Sequence, residues 1–390
     1  MKKRILRYLK HILGTLLFLL LIGVSIVLFL NGNVHYSDNP IKKAWKKEGP
    51  YVFYKNDTLL SVNYVTGNRN DGFKASHKNY NINSELKMNS YFNLDDSTFD
   101  FTIDPNIKTP ESIYNDGGKI LAISDIESGY KTFRDFLINN QVINENLEWT
   151  FGNGHLVLVG DFVDRGFSTT QVLWFIYKLE QEAKKLGGRV HFILGNHEIK
   201  NLQGNYTKAS LKYFYVASIL QKQQYELYNS KSFIGKWLAS KNTLEIINGH
   251  LFVHGGIHPE LANYKTNINE INQIVRGNYR QAYYPKKGDS LEQLLISTTK
   301  GPSWYRGYFN DDLTNEEIDK GLKLFNAKAV IVGHTIQRKV KKLHNGKVFS
   351  IDVNHPKDYR KSWPNKQSEG LIITHNKYYR VFANGSKKEL

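Results

Sequence analysis

The chain has 390 residues, 41% hydrophobic and 23% charged, with no low-complexity stretch and no internal repeat, a balance that suits one large globular domain with extensions. Cysteine is absent, which excludes a disulfide framework, a thiolate nucleophile and a Cys-ligated zinc, so any metal must sit on His, Asp, Glu or Asn. The formal net charge of +17 would steer anions or hold an acidic membrane surface, though a Lys- and Asn-rich solvated exterior explains it equally well; the lysines are scattered and no nucleic-acid motif accompanies them, so nucleic acid is not an expected partner.

In chain order, the first element is an uncharged run of nineteen residues from Ile12 to Leu30, preceded by Lys2, Lys3, Arg4, Arg7 and Lys10. At 1.5 Å per residue such a helix spans about 28 Å, close to a bilayer core. The positive-inside rule then leaves the N-terminus cytoplasmic and the remaining chain extracytoplasmic. The competing reading, a cleaved signal peptide, fits less well because the run exceeds the usual ~7–15 residues and no A-x-A-like site follows. Residues 1–31 are therefore expected to be a basic tip and single-pass anchor, and 32–49 a polar linker. Residues 50–117 alternate in hydrophobicity and read as a β-rich extension, with strands around Lys55-Asn56-Asp57 and around Asp95-Asp96.

From residue 118 to 390 the pattern is α/β. Strands are expected at Lys119–Ser124, His155–Gly160 and Arg189–Leu194, and helices over Tyr130–Asn140 and Thr169–Leu186. Such units predict a parallel sheet with function at the carboxyl ends of its strands. Residues 205–242 read as a helical insertion. Thr243–Asn248 and His250–His254 read as a strand pair, Lys328–Gly333 and Lys347–Val353 as further strands, and Gly370–Phe382 as a final hairpin.

Five strings follow buried strands and end them in Asp, Asn, His or Glu: SDIE (Ser124–Glu127), GDFVDRG (Gly160–Gly166), GNHE (Gly195–Glu198), VHGG (Val253–Gly256) and GHT (Gly333–Thr335). Turn chemistry favours Gly, Asp and Asn at such places, but it does not ask for His after Asn or Arg after the second Asp. In this order the strings resemble the calcineurin-like metallophosphoesterases, the superfamily that includes the serine/threonine phosphoprotein phosphatases. GPSWYRGY (Gly301–Tyr308) and GKW (Gly235–Trp237) are similar to strings of its bacterial Shewanella-like branch.

The resemblance covers roughly Lys119 to Val353. It implies a four-layer α-β-β-α sandwich of two mixed sheets and a phosphatase in which two divalent cations activate water. Asp161 would touch both cations. The first would take Asp125, Glu127 and Asp161, an all-oxygen set suited to Mn, Mg or Fe. The second would take Asp161, Asn196, His254 and His334, a mixed set that also accepts Zn. Two positions depart from the family pattern: Glu127 stands where a histidine is usual, and Ile336 stands where a second histidine often follows the GHT histidine. Asp164 would orient His197 as the general acid toward the leaving oxygen, Arg165 would grip the phosphoryl group, and Arg306 is the candidate second arginine. Glu198 would steady its loop, and His155, His191 and His258 match no ligand position. The expected partner is a phosphorylated protein or small molecule. A nucleotide, sugar phosphate or lipid remains open as substrate, and a non-catalytic phosphate-binding module is the alternative of another class.

Overall fold

The computed structural model describes residues 2–30, 34–37, 44–285, 288–310 and 313–390. Much of the expected linker, at 32–33 and 38–43, lies outside the described residues. Strand Trp45–Tyr54 begins inside the remaining part of it, and Val34–Ser37 pairs antiparallel with Arg360–Trp363. Lys2–Phe29 forms one helix of 28 residues, long and apolar enough to cross a membrane.

Two six-stranded mixed sheets form the body. In the first the order is Arg189–Ile193, His155–Val159, Ile120–Ile123, Glu369–Thr374, Lys377–Phe382 and Lys387–Glu389. In the second it is Lys341–Leu343, Val348–Ser350, Ala329–Val332, His250–Val253, Leu244–Ile247 and Ile113–Tyr114. Ile120–Ile123, His155–Val159, His250–Val253 and Ala329–Val332 are buried along their whole length, because sheets covered on both faces need unbroken apolar runs. Ala122, Val157 and Ile193 of the first sheet share one core cluster with Ile247, Phe252, Ile331 and Phe349 of the second, so the inner faces pack on each other.

Two hairpins, both expected from the sequence, make the sheets mixed and not wholly parallel. Asn248 and Gly249, both at positive φ (50° and 79°), turn Leu244–Ile247 directly onto His250–Val253 as an antiparallel pair. The C-terminal hairpin joins the first sheet antiparallel, with Leu371 opposite Ala122. Helix Thr169–Lys185 packs on Arg189–Ile193, and its buried side chains include Val172, Phe175, Ile176 and Leu179.

The β-rich extension holds a three-stranded antiparallel sheet, Trp45–Tyr54, Leu59–Asn68 and Gly72–Asn81, and a hairpin of Leu86–Phe92 with Ser97–Ile103. The Asn56 side chain builds the first turn by accepting from the Thr58 and Leu59 amides at 3.0 and 2.9 Å. The third strand, GFKASHKNYN, was not expected: nearly all of it is exposed, so its sequence carries no apolar alternation.

The extension is tied to the body through buried polar contacts. Trp174 Nε1 donates to the Pro50 carbonyl at 2.8 Å, and the Tyr51 hydroxyl meets Thr170 Oγ1 at 2.9 Å. Glu48 and Lys212 form a buried ion pair at 2.8 Å, in which Lys212 also donates to the Phe167 carbonyl. Removing one member of a buried pair strands the other charge, at a cost of about 3–5 kcal/mol. Denaturant melts of Lys212→Met should show a loss of this size, and the Glu48→Gln/Lys212→Met double variant should regain part of it. Equal losses in the single and double variants would contradict this account of the contact.

Candidate metal centre and active site

The motif residues sit where strands stop and the backbone turns sharply. Asp125, Glu127, Asp161, Asp164, Arg165 and His334 all adopt positive φ, between 48° and 67°. Non-glycine residues pay roughly 1–2 kcal/mol for that conformation, and such strain gathers at functional sites. The ladder continues past the strands and locks the two loops together: the Asp125 amide donates to the Gly160 carbonyl at 2.9 Å, Glu127 to Asp161 at 3.0 Å and Ser128 to Phe162 at 2.8 Å. Two glycines are required by close approach. A Cβ on Gly160 (φ 77°) would lie 2.5 Å from His254 Nδ1, and one on Gly195 would lie 2.3 Å from Asp161 Oδ1. The buried Glu198 carboxylate accepts from the amides of Asp161, Phe162 and Gly195 at 2.8–2.9 Å, which clamps the GNHE turn to the GDFVDRG turn.

Four of the residues expected around the second cation converge. One oxygen or nitrogen of each of Asp161, His254 and His334 falls within a cluster of 4.8 Å, and all three residues are buried. Asn196 Oδ1 lies 3.0 Å from His334 Nδ1, 3.1 Å from Asp161 Oδ2 and 3.2 Å from His254 Nε2. The histidine tautomers make those atoms lone pairs. His254 Nδ1 donates to the Val159 carbonyl at 2.7 Å, and His334 Nε2 donates to the Trp304 carbonyl at 3.1 Å. A turned Asn196 amide would donate hydrogens to its neighbours; with its oxygen inward, four acceptors face one point. That donor set fits a divalent cation, with each imidazole oriented by a backbone carbonyl as metal ligands usually are. The electrostatics agree. Burial opposes charge on His254, but Asp161 outweighs it and lifts that pKa to about 9, whereas burial and the neighbouring His254 push His334 down to about 2.

Beside this cluster, Asp164 Oδ2 holds His197 Nδ1 at 2.7 Å, and Asn201 Nδ2 fixes the other Asp164 oxygen at 2.9 Å. Burial works against protonated His197, yet the carboxylates of Asp161 and Asp164 prevail and raise its pKa above 6.5. Arg165 Nη2 approaches His197 Nε2 at 3.1 Å, and Arg306 donates to the His334 carbonyl at 2.6 Å and to Thr335 Oγ1 at 3.0 Å. Both arginines therefore border the same centre. A groove of about 710 Å³ opens from it, lined by Asn196, Lys200, His258, Trp304, Tyr305 and Arg306 among others.

The two oxygens of Glu127, expected at the first cation, accept from Arg165 Nη1 and Lys357 Nζ, so cationic side chains engage the carboxylate. Asp352 was missed altogether. It is buried, ends the strand Val348–Ser350 two residues on, and is the charge that most raises the Asp125 pKa after burial itself. A signal was present, since Asp352 closes an apolar run as Asp125 and Asp161 do, but outside the five strings. The exposed Ile336 takes no part. His155 and His191, read as structural, form a hydrogen-bonded chain from Asp116 to Glu245 with an imidazole–imidazole distance of 2.9 Å.

A cation cradle with a carboxylate–histidine pair and two arginines, all at the rim of a two-sheet sandwich, defines a metal-dependent phosphoester hydrolase. The calcineurin-like phosphoesterase family model matches residues 118–338, more than half of the chain, and the chain belongs to that family. It is 29% identical over 260 residues to Shewanella-like protein phosphatase 1 of Plasmodium berghei (strain Anka), covering 64% of this chain and 70% of that protein. With Shewanella-like protein phosphatase 2 of Arabidopsis thaliana the identity is 25% over 315 residues, covering 67% and 79%. The crystal structure of a cold-active protein-tyrosine phosphatase of a psychrophilic Shewanella superposes with a TM-score of 0.75 at 29% identity, over 89% of this chain and 100% of that one. The protein is a metal-dependent phosphatase of the phosphoprotein-phosphatase type, a phosphoric monoester hydrolase.

Proposed function

We propose that this chain is a membrane-anchored phosphatase that removes phosphate from phosphotyrosine in proteins, using a two-cation centre on Asp125, Asp161, Asn196, His254 and His334. The observation that carries the reading is the convergence of four lone-pair donors at Asp161, Asn196, His254 and His334 beside the Asp164–His197 pair. The tyrosine preference is supported by the Shewanella neighbour's name and by the aromatic lining of the groove at Trp304 and Tyr305. The donor chemistry favours Mn²⁺ or Fe²⁺, with Mg²⁺ at the oxygen-rich position and Zn²⁺ compatible with the histidines.

When bound, the cations supply Lewis acidity and a hydroxide nucleophile near neutral pH. The protein supplies the rest. Arg165 and Arg306 hold the phosphoryl oxygens and balance charge that grows in the transition state. Asp164 fixes the His197 tautomer so that Nε2 is the atom that carries a proton to the leaving phenolate. Arg165 Nη2 lies 3.1 Å from that nitrogen, so the guanidinium and the acid flank the same phosphoryl position.

Helix Lys2–Phe29 would anchor the chain with the basic tip inside and the domain outside. The test is hydrolysis of a membrane-impermeant phosphotyrosine peptide by sealed cells displaying the full chain. It should exceed hydrolysis of nucleotides and lipid phosphates, stop with EDTA and return with Mn²⁺. A preference for nucleotides, or activity only after lysis, would overturn the substrate or the topology respectively.

A further inference from the structure

Glu127 holds the position at which the family resemblance expects an uncharged imidazole. Its side chain is 9% exposed and Lys357's is 17%, so the two form a shielded pair whose charges cancel. Glu127 Oε1 meanwhile binds Arg165 Nη1. Both carboxylate oxygens are thus committed to charge-assisted hydrogen bonds, the strongest kind a carboxylate makes. Lys357 reaches Glu127 from 230 residues away in sequence, on the loop that also carries Asp352.

The strand register brings Asp352 to the centre. Ala329–Val332 and Val348–Ser350 run parallel with Val332 opposite Ser350, and the Ile351 amide donates to the Val332 carbonyl at 2.9 Å. Two residues further along each chain stand His334 and Asp352. The Asp352 backbone is fixed there by the Gln337 amide at 2.9 Å. Its side chain is different. The residue is 5% exposed, and it takes no part in the hydrogen bonds that fix the Asp161 and Asp164 carboxylates. The charges around it are Glu127, Asp161, Arg165 and Arg306, and it is the leading charged neighbour of Asp125. Asp125 itself spends Oδ2 on the His334 amide at 3.1 Å. A nearly buried carboxylate set among other carboxylates is costly unless a cation joins them.

We infer that Asp352, together with Asp125 and Asp161, forms the shell of the first cation, and that Glu127 is a positioning residue which, with Lys357, holds Arg165 in place. The inference rests on the two-cation reading above and reassigns its first site. One loop would then provide both the substitute ligand, Asp352, and the counter-charge, Lys357.

Metal counting on the full chain in detergent tests it without relying on turnover. The chelated protein is dialysed against Mn²⁺, its bound metal is measured, and its low-temperature EPR spectrum is read for a spin-coupled Mn pair. The parent chain should hold two equivalents and show coupling. Asp352→Asn should hold one and lose the coupling. Glu127→Gln should keep two coupled ions, while KM for an aryl phosphate rises about tenfold, the scale expected of an outer-shell partner. Two equivalents retained in Asp352→Asn, or one lost in Glu127→Gln, would overturn the assignment while leaving the two-cation phosphatase intact. Fewer than two in the parent chain would overturn both. Should Asp352→Asn fail to fold, the Glu127→Gln/Lys357→Met variant decides alone: two equivalents support the inference and one refutes it.

Discussion

Replacing Asp161 with Ala should lower kcat/KM more than about 10³-fold, equivalent to roughly 4 kcal/mol of transition-state stabilisation. Asp161 touches three of the other residues of the centre. Asp161 Oδ1 accepts from the His197 amide at 2.9 Å and lies 3.2 Å from His254 Nε2, while Oδ2 stands 3.1 Å from Asn196 Oδ1. Its charge is also what sustains the raised His254 pKa against burial. On the proposed two-cation reading its removal would take a shared ligand from both positions, so bound Mn²⁺ should fall below one equivalent together with activity. If Asp161→Ala kept two equivalents and lost only turnover, the carboxylate would be acting on substrate and not on the cations.

His197→Ala should cut kcat by about 10²–10⁴-fold, the range of a positioned general acid, with little change in KM or in metal content. The loss should shrink on aryl phosphates with acidic leaving groups, which depart without a proton. The sign of the pH dependence follows from the site. The imidazolium is the active acid, and Asp161 and Asp164 raise its pKa against burial, so kcat should decline only as pH climbs past that raised value. In Asp164→Asn one of those carboxylates is gone, the pKa drops, and the alkaline limb of the kcat profile should move to lower pH. A limb that stays in place would assign the proton to another group.

How far the residues alone disclosed this arrangement can be judged element by element. The strands at Ile120, His155, Arg189, His250 and Ala329 were legible because each is a short, wholly buried run closed by a turn signal. The second cation's donors were legible because each lies in a string with little tolerance for substitution, as the Gly160 and Gly195 clearances explain. Gly72–Asn81 was not legible, since an exposed edge strand buries too little to impose a pattern. Asp352 and Lys357 were not legible either. The apolar run that Asp352 closes is a signal too common to single it out without one of the five strings, nothing adjacent marks Lys357, and their partners Asp125, Glu127 and Asp161 are some two hundred residues away.

The sequence by itself determined the long apolar N-terminal helix, the α/β body, the reaction class and the group of side chains that converge at Asp161, because those properties rest on local patterns of hydrophobicity and on motifs confined to strand ends. Only the tertiary structure decided where Glu127 turns, which cationic side chains claim it, and that the buried Asp352 acts on Asp125. Those are outcomes of strand register and of charges meeting across the chain, and a carboxylate's role depends on which positive group comes nearest in space, a quantity with no signature along the backbone.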